Sequence, residues 1–156
     1  MRISYRGTVY PWNCDHMGHM NVMWYTSKFD EASWQFLASV GLTRKFLQAN
    51  GSGLAAIEQN ISYKRELMAG DTVTVHTSIT ELKEKVMVLC HEMSDDESGE
   101  IAATAAITGI YISASTRVPQ IIPYAIREQA SAYLIHAERP FPESRVSFSR
   151  ASAGPQ

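Results

Sequence analysis

Residues 13 to 21 read Asn13, Cys14, Asp15, His16, Met17, Gly18, His19, Met20 and Asn21. An ionised Asp15 can attack an activated carbonyl, or take the proton from a water that does so. Directly behind it an apolar-periodic run starts at Val22 and continues to Gly41. A helix beginning there offers free backbone N–H groups and the positive end of its dipole to developing negative charge. A carboxylate beside such amides has the parts of an acyl-transfer site. By position along the motif the Val22 amide is the candidate oxyanion donor, and losing one such donor typically costs on the order of 10²-fold in rate. An isolated Asp ahead of a helix also serves as a turn or cap residue. The neighbouring Gly18, His19 and Asn21 favour the catalytic reading.

Gly18 suits a tight turn or the close approach of a substrate to the backbone. His19 can hydrogen-bond a substrate, orient the loop or sit half-buried as a structural histidine. Cys14, Asp15, His16 and His19 resemble metal ligands by type. Their crowding on one turn, with no second ligand pair downstream, predicts no metal site.

The elements that must position these groups follow from periodicity. Tyr25, Phe29, Ala32, Phe36, Leu37 and Val40 recur at spacings of three and four, the period of a helix with one buried stripe. Asn21 is its expected N-cap and Gly41 its C′ residue. Such a helix is about 30 Å long, comparable with a small domain. A shorter helix is expected from a Thr43 cap to Asn50, ended by Gly51, Ser52 and Gly53.

Beyond it the period changes to two. A strand is predicted over Leu54 to Tyr63, then a turn at Ala69, Gly70 and Asp71. Val73, Val75, Thr77 and Ile79 next alternate with Thr72, Thr74, His76 and Ser78, as in a half-buried strand. Glu84 to Met93 is apolar on both faces and should be covered twice. Asp95 to Gly99 reads as a hairpin loop before a long strand from Ile101 to Ile112. The small residues of that strand, Ala102, Ala103, Ala105, Ala106 and Gly109, would let the long helix approach the sheet closely. Pro119 and Pro123 end the sheet, and a terminal helix is expected over Tyr124 to Leu134. Residues 1–142 are expected to form one domain, and 143–156 a disordered tail poor in large apolar side chains.

A net charge of −2 in 156 residues and a pI near 6.2 argue against nucleic acid as a partner, because phosphate backbones demand a basic face. No spanning run and no secretory h-region are present, so a cytoplasmic protein without a membrane contact is expected. Cys14 and Cys90 are then expected to stay reduced.

The turn with Asp15, Gly18, His19, Asn21 and Tyr25, then Tyr63, Gly70 and Asp71, and Arg117 with Pro119 past the last strand, resemble the hot dog fold thioesterases of the 4-hydroxybenzoyl-CoA thioesterase type from about Val9 to Pro119. The resemblance implies an α+β hot dog fold, a curved antiparallel sheet of about five strands around one central helix. It also implies a homodimer, or a dimer of dimers, with active sites at the dimer interface. The implied activity is hydrolysis of an acyl-CoA thioester, with Asp15 as nucleophile or general base and no cofactor beyond the CoA of the substrate. The family often carries an acidic residue two positions before the catalytic Asp, where this chain has Asn13.

The resemblance extends the candidate substrate contacts to Gly18, His19, Asn21, Trp24 and Tyr25. CoA phosphates are often met by basic residues at the start of the fourth strand, here Lys83 and Lys85 flanking Glu84, with Lys64 and Arg65 as further candidates. Trp12, Trp24 and Trp34 are expected in the core or an interface. If one or two of them face an acyl pocket, they can hold a cationic acyl group by cation–π contact. Two other readings stand beside hydrolysis. One is a hot dog hydratase or dehydratase with Asp30 or Glu31 as its carboxylate. The other is a non-catalytic acyl-CoA-binding module.

Overall fold

The computed structural model describes residues 1–135, so the tail expected over 143–156 lies outside the described residues. In chain order the elements are β1 (Arg2–Thr8), a 3-10 turn (Pro11–Asn13), α1 (Val22–Ser39), α2 (Arg44–Ala49), β2 (Ser52–Tyr63), β3 (Thr72–Leu82), β4 (Val86–Asp95), β5 (Ile101–Ser113) and α3 (Tyr124–Ser131). The five strands form one antiparallel sheet in the order β1-β3-β4-β5-β2. Each pairing contains one register shift, between Ile3 and Tyr5, Ala56 and Glu58, Ile79 and Glu81, and Met93 and Ser94. Such bulges bend and twist a strand.

β1 is the element that sequence periodicity does not show. Of its residues only Ser4 is buried, and exposed Arg2, Ile3 and Arg6 occupy half of the other positions. The strand forms because β3 presents an unpaired edge to it. Pairing at β3 continues past Thr77 through the bridge between Ile79 and Leu134. The other boundaries agree with expectation to within three residues, as fraying ends do.

All six residues of the α1 stripe are buried, with Phe29, Ala32, Phe36 and Val40 fully so. Val73, Val75, Met93, Ala103 and Ala105 share a core cluster with Tyr25, Phe29 and Ala32. The backbone of α1 comes closest to β1, then to β3 and β4. The alanine-rich β5 is therefore reached by side chains rather than by close helix approach.

Two polar residues also lie in the buried stripe. Lys28 Nζ donates to the Tyr5 hydroxyl at 3.0 Å and to the Thr8 carbonyl at 3.3 Å, tying α1 to β1. Ser33 donates to the Phe29 carbonyl at 2.8 Å and meets His91 Nε2 at 3.0 Å. His91 Nδ1 lies 2.8 Å from Thr77 Oγ1, and Thr77 Oγ1 lies 2.5 Å from Ser4 Oγ. Because the Ser33 hydroxyl donates to the helix, the network assigns the proton of neutral His91 to Nε2. Burial pushes this imidazole down from 6.5 to about 4.

Candidate active site

The Asp15 turn is held from both sides. Cys14 bridges Met20, the Asp15 N–H donates to the His19 carbonyl at 3.1 Å, and the Gly18 N–H donates to the Asp15 carbonyl at 3.0 Å. Gly18 has φ +88 with open space around its Cα, so the backbone conformation, not crowding, requires glycine there. The Met20 N–H donates to the Leu67 carbonyl at 2.7 Å, and the Asn21 N–H to the Asn13 carbonyl at 2.9 Å. The loop is thereby stitched to the segment after β2 and to its own start. Asn13 is buried, and its Oδ1 accepts from the Tyr10 N–H at 2.8 Å. It is a structural tie with no second carboxylate to offer.

Asp15 is partly exposed, and its two oxygens have different partners. Oδ1 accepts from the Met17 N–H at 2.9 Å, forming an Asx turn, and Oδ2 accepts from Asn21 Nδ2 at 2.9 Å. These bonds fix the carboxylate's plane and leave lone pairs for an incoming group. The Asn21 amide, and after it the Met17 N–H, hold the carboxyl below the usual carboxylate range. Asp15 is therefore ionised at neutral pH.

The cap of α1 is Asn21, not Asp15. Asn21 Oδ1 accepts from the Met23 N–H at 3.0 Å, and its carbonyl accepts from the Trp24 N–H at 2.9 Å. Among the described residues no acceptor takes the Val22 N–H. The first amide of the helix is free, on an exposed residue, and the adjacent Asn21 side chain ties the start of α1, through the Met23 N–H, to the Asp15 carboxylate.

The remaining candidates fall into two groups. Around the turn, the His19 imidazole lies 3.5 Å from Glu66 Oε1, and exposed Lys64 follows β2. The Tyr25 hydroxyl donates to the Arg65 carbonyl at 3.2 Å, and its ring meets Tyr63 edge-on. Tyr25 is 3% exposed, so it supports the site from beneath rather than lining it, and Trp24 packs half-buried on the same cluster. Arg65 is held by Ser98, Asp95 and Glu100.

Lys83 and Lys85 form the other group, in the turn between β3 and β4. The Asp71 carbonyl at the start of β3 accepts from the Val9 N–H, close to the Asp15 loop in the chain, and the length of β3 separates it from Lys83, about 35 Å at the usual rise. Lys83 also pairs with Glu81. Within one subunit these lysines are not brought to Asp15.

A feature that sequence reasoning did not isolate lies along α1. Thr26, Asp30 and Trp34 face away from the stripe and border a cavity of about 210 Å³, closed on the far side by Leu54 and Gln59 of β2 and Ile107 of β5. It begins one turn beyond Val22. Trp34 also walls a neighbouring cavity of about 360 Å³ beside Arg44. Trp12 is exposed, stacked on Tyr10 at 4.4 Å between ring centroids. Both cysteines are free thiols. Among the described residues no helix is long and apolar enough to cross a membrane.

Comparison with known proteins agrees with this architecture. A Staphylococcus aureus protein solved in complex with CoA superposes with a TM-score of 0.81 at 23% identity, covering 96% of this chain and 95% of that one. A 1,4-dihydroxy-2-naphthoyl-CoA thioesterase from Synechocystis superposes with a TM-score of 0.74 at 21% identity, covering 83% and 95%. The long-chain acyl-CoA thioesterase FadM of Escherichia coli is 23% identical over 118 residues, 76% of this chain and 89% of that protein. The fold is the hot dog fold, with α1 as its central helix. The thioesterase-like superfamily profile matches residues 9–142, and the chain belongs to that superfamily.

Proposed function

We propose that this protein hydrolyses an acyl-CoA thioester to a free acid and coenzyme A, with Asp15 as nucleophile or general base. The observation that carries the reading is an ionised, oriented carboxylate tied through Asn21 to the start of a helix whose first amide, on Val22, is free among the described residues. The carbonyl oxygen of the substrate accepts from the Val22 N–H as negative charge develops on it. Attack on the carbonyl carbon, by Asp15 itself or by a water it deprotonates, breaks the C–S bond and releases CoA as its thiolate. Water supplies the new oxygen of the acid, directly or by opening an acyl-aspartyl anhydride. No cofactor is needed beyond the CoA of the substrate.

Gly18 leaves room above the turn, and His19 and Asn21 line its rim. The acyl group extends from Val22 into the cavity along α1. No imidazole is among the described residues lining that cavity, which weighs against hydration of an enoyl thioester, where a histidine would work beside the carboxylate.

One such domain spans residues 1–142 and acts as a homodimer, or a dimer of dimers. The support is β2, a twelve-residue strand at the sheet edge. Glu58, Gln59 and Asn60 are exposed on both of its faces, and a long open edge is a template for a second strand. Lys64 meets the CoA phosphates from the same subunit. Lys83 and Lys85, lying far from Asp15 in the chain that carries them, do so from another.

The test is a screen for thiol release over acyl-CoAs of different length and head group. The expected result is saturable release with at least one of them. Release no faster than in buffer across the panel would refute the reading.

A further inference from the structure

The cavity along α1 has an uneven lining. Asp30 and Trp34 stand one helical turn apart on the same face, so their side chains are neighbours. Thr26 and Gln59 add polar groups nearby, while Leu54 and Ile107 make the wall apolar. No lysine, arginine or histidine is among the lining residues. Asp30 forms no salt bridge among the described residues. Nor does a cation of the protein lie over Trp34, since the described cation–π contact joins Lys28 to Tyr5. The pocket therefore presents one uncompensated carboxylate and one unoccupied indole.

A plain alkyl chain filling this space takes water from the cavity side of Asp30, an exposed residue, and offers its charge no partner. A positive head group would supply that partner and gain the face of Trp34. We infer that the cavity takes the cationic end of the acyl group, so that the substrate class is an acyl-CoA whose acyl chain ends in a quaternary or protonated ammonium. The inference rests on the hydrolytic reading given under Proposed function.

The dimensions agree. At 1.5 Å per residue Asp30 sits about 12 Å along the axis from Val22. Its side chain leans back toward the helix start. A cation several bonds beyond the carbonyl carbon then reaches Asp30 while the thioester lies against Val22. A cavity of about 150 Å³ holds benzene, so one of about 210 Å³ has room for a trimethylammonium head and a short spacer.

The experiment compares two CoA thioesters that differ in one atom, a trimethylammonium acyl group and its tert-butyl isostere, by kcat/KM in the wild type, Asp30→Asn, Asp30→Glu and Trp34→Leu. The wild type is expected to favour the ammonium compound by about tenfold. That ratio should fall toward one in Asp30→Asn and Trp34→Leu and recover in Asp30→Glu. A wild-type ratio of one or below, or a ratio unmoved by Asp30→Asn and Trp34→Leu, overturns the inference while hydrolysis stands. So does turnover of other acyl-CoAs with neither of this pair. If no acyl-CoA is turned over, the hydrolytic reading falls, and the cavity is read by binding alone. Butyltrimethylammonium should then shift the Trp34 indole N–H resonance saturably in the wild type and not in Asp30→Asn, and an equal response in both overturns the inference.

Discussion

Asn21 does two things at once, and substitution can separate them. Its Oδ1 caps α1 through the Met23 N–H at 3.0 Å, and its Nδ2 holds Asp15 Oδ2 at 2.9 Å. Asn21→Asp retains an acceptor for the cap, and negative charge at a helix start is favourable. The same change removes the donor to Asp15 and sets a second carboxylate against it. Asn21→Ala removes both functions. Loss of the cap costs about 1 kcal/mol, which lowers Tm by roughly 2–4 °C in a chain of this size.

For catalysis the sign follows from the bonds. The Asn21 amide is the largest influence holding the Asp15 carboxyl down, so in both variants that carboxyl binds its proton at higher pH. The acid limb of kcat/KM therefore moves up in pH, further in Asn21→Asp, where a like charge has been added. A carboxylate free to swing by about 1 Å can lose on the order of 10²-fold in rate, and both variants should lose on that scale at neutral pH. Thermal unfolding and kcat/KM against pH, measured on the same preparations, check the pair. Wild-type kcat/KM in Asn21→Asp across the pH range would refute the positioning argument. An unchanged Tm in Asn21→Ala would refute the cap.

The buried His91 makes stability fall with acid. Its folded value of about 4 lies below the ordinary 6.5, so the unfolded chain binds the extra proton, and about 3 kcal/mol is lost as pH drops from 6.5 toward 4. Urea midpoints at pH 7.5 and 5, at one protein concentration, should therefore diverge in the wild type and converge in His91→Gln, and equal divergence in both would contradict the assignment. Gly18→Ala meets no steric obstacle but must adopt φ +88. It should cost about 1 kcal/mol of stability and slow turnover by disturbing the Asp15 turn, so wild-type behaviour in both assays would show that the turn tolerates another conformation.

The chain's local chemistry made some of this legible and hid the rest. The α1 stripe was readable because burial of Tyr25, Phe29, Ala32, Phe36, Leu37 and Val40 imposes a period. Asn21 and Thr43 were readable because capping is a short-range bond, here to Met23 and Phe46. β1 was not, since Arg2, Ile3 and Arg6 show no apolar alternation and the strand exists only by pairing with β3, some seventy residues away in the chain. The burial of Lys28 and Ser33 was not legible, because their partners Tyr5 and His91 lie far away in the chain. In the site, Asp15 and Val22 lie close in the chain, and the turn that carries Asp15 runs directly into α1. Lys83 and Lys85 were named from the resemblance, by their place at the start of the fourth strand, and a strand as long as β3 carries them to its far end. The cavity was hidden for the converse reason: Asp30 and Gln59 meet only when α1 lies against the sheet.

The central claim is that Asp15 does the chemistry, and Asp15→Asn tests it most directly. The amide keeps an acceptor for the Met17 N–H and nearly the same volume, losing only the Oδ2 acceptor for Asn21 Nδ2, so the fold should be retained. With an acyl-CoA that the wild type turns over, thiol release by Asp15→Asn should fall by several orders of magnitude while thermal unfolding and oligomeric state stay as in the wild type. Thiol release at the wild-type rate from that folded variant would contradict the account.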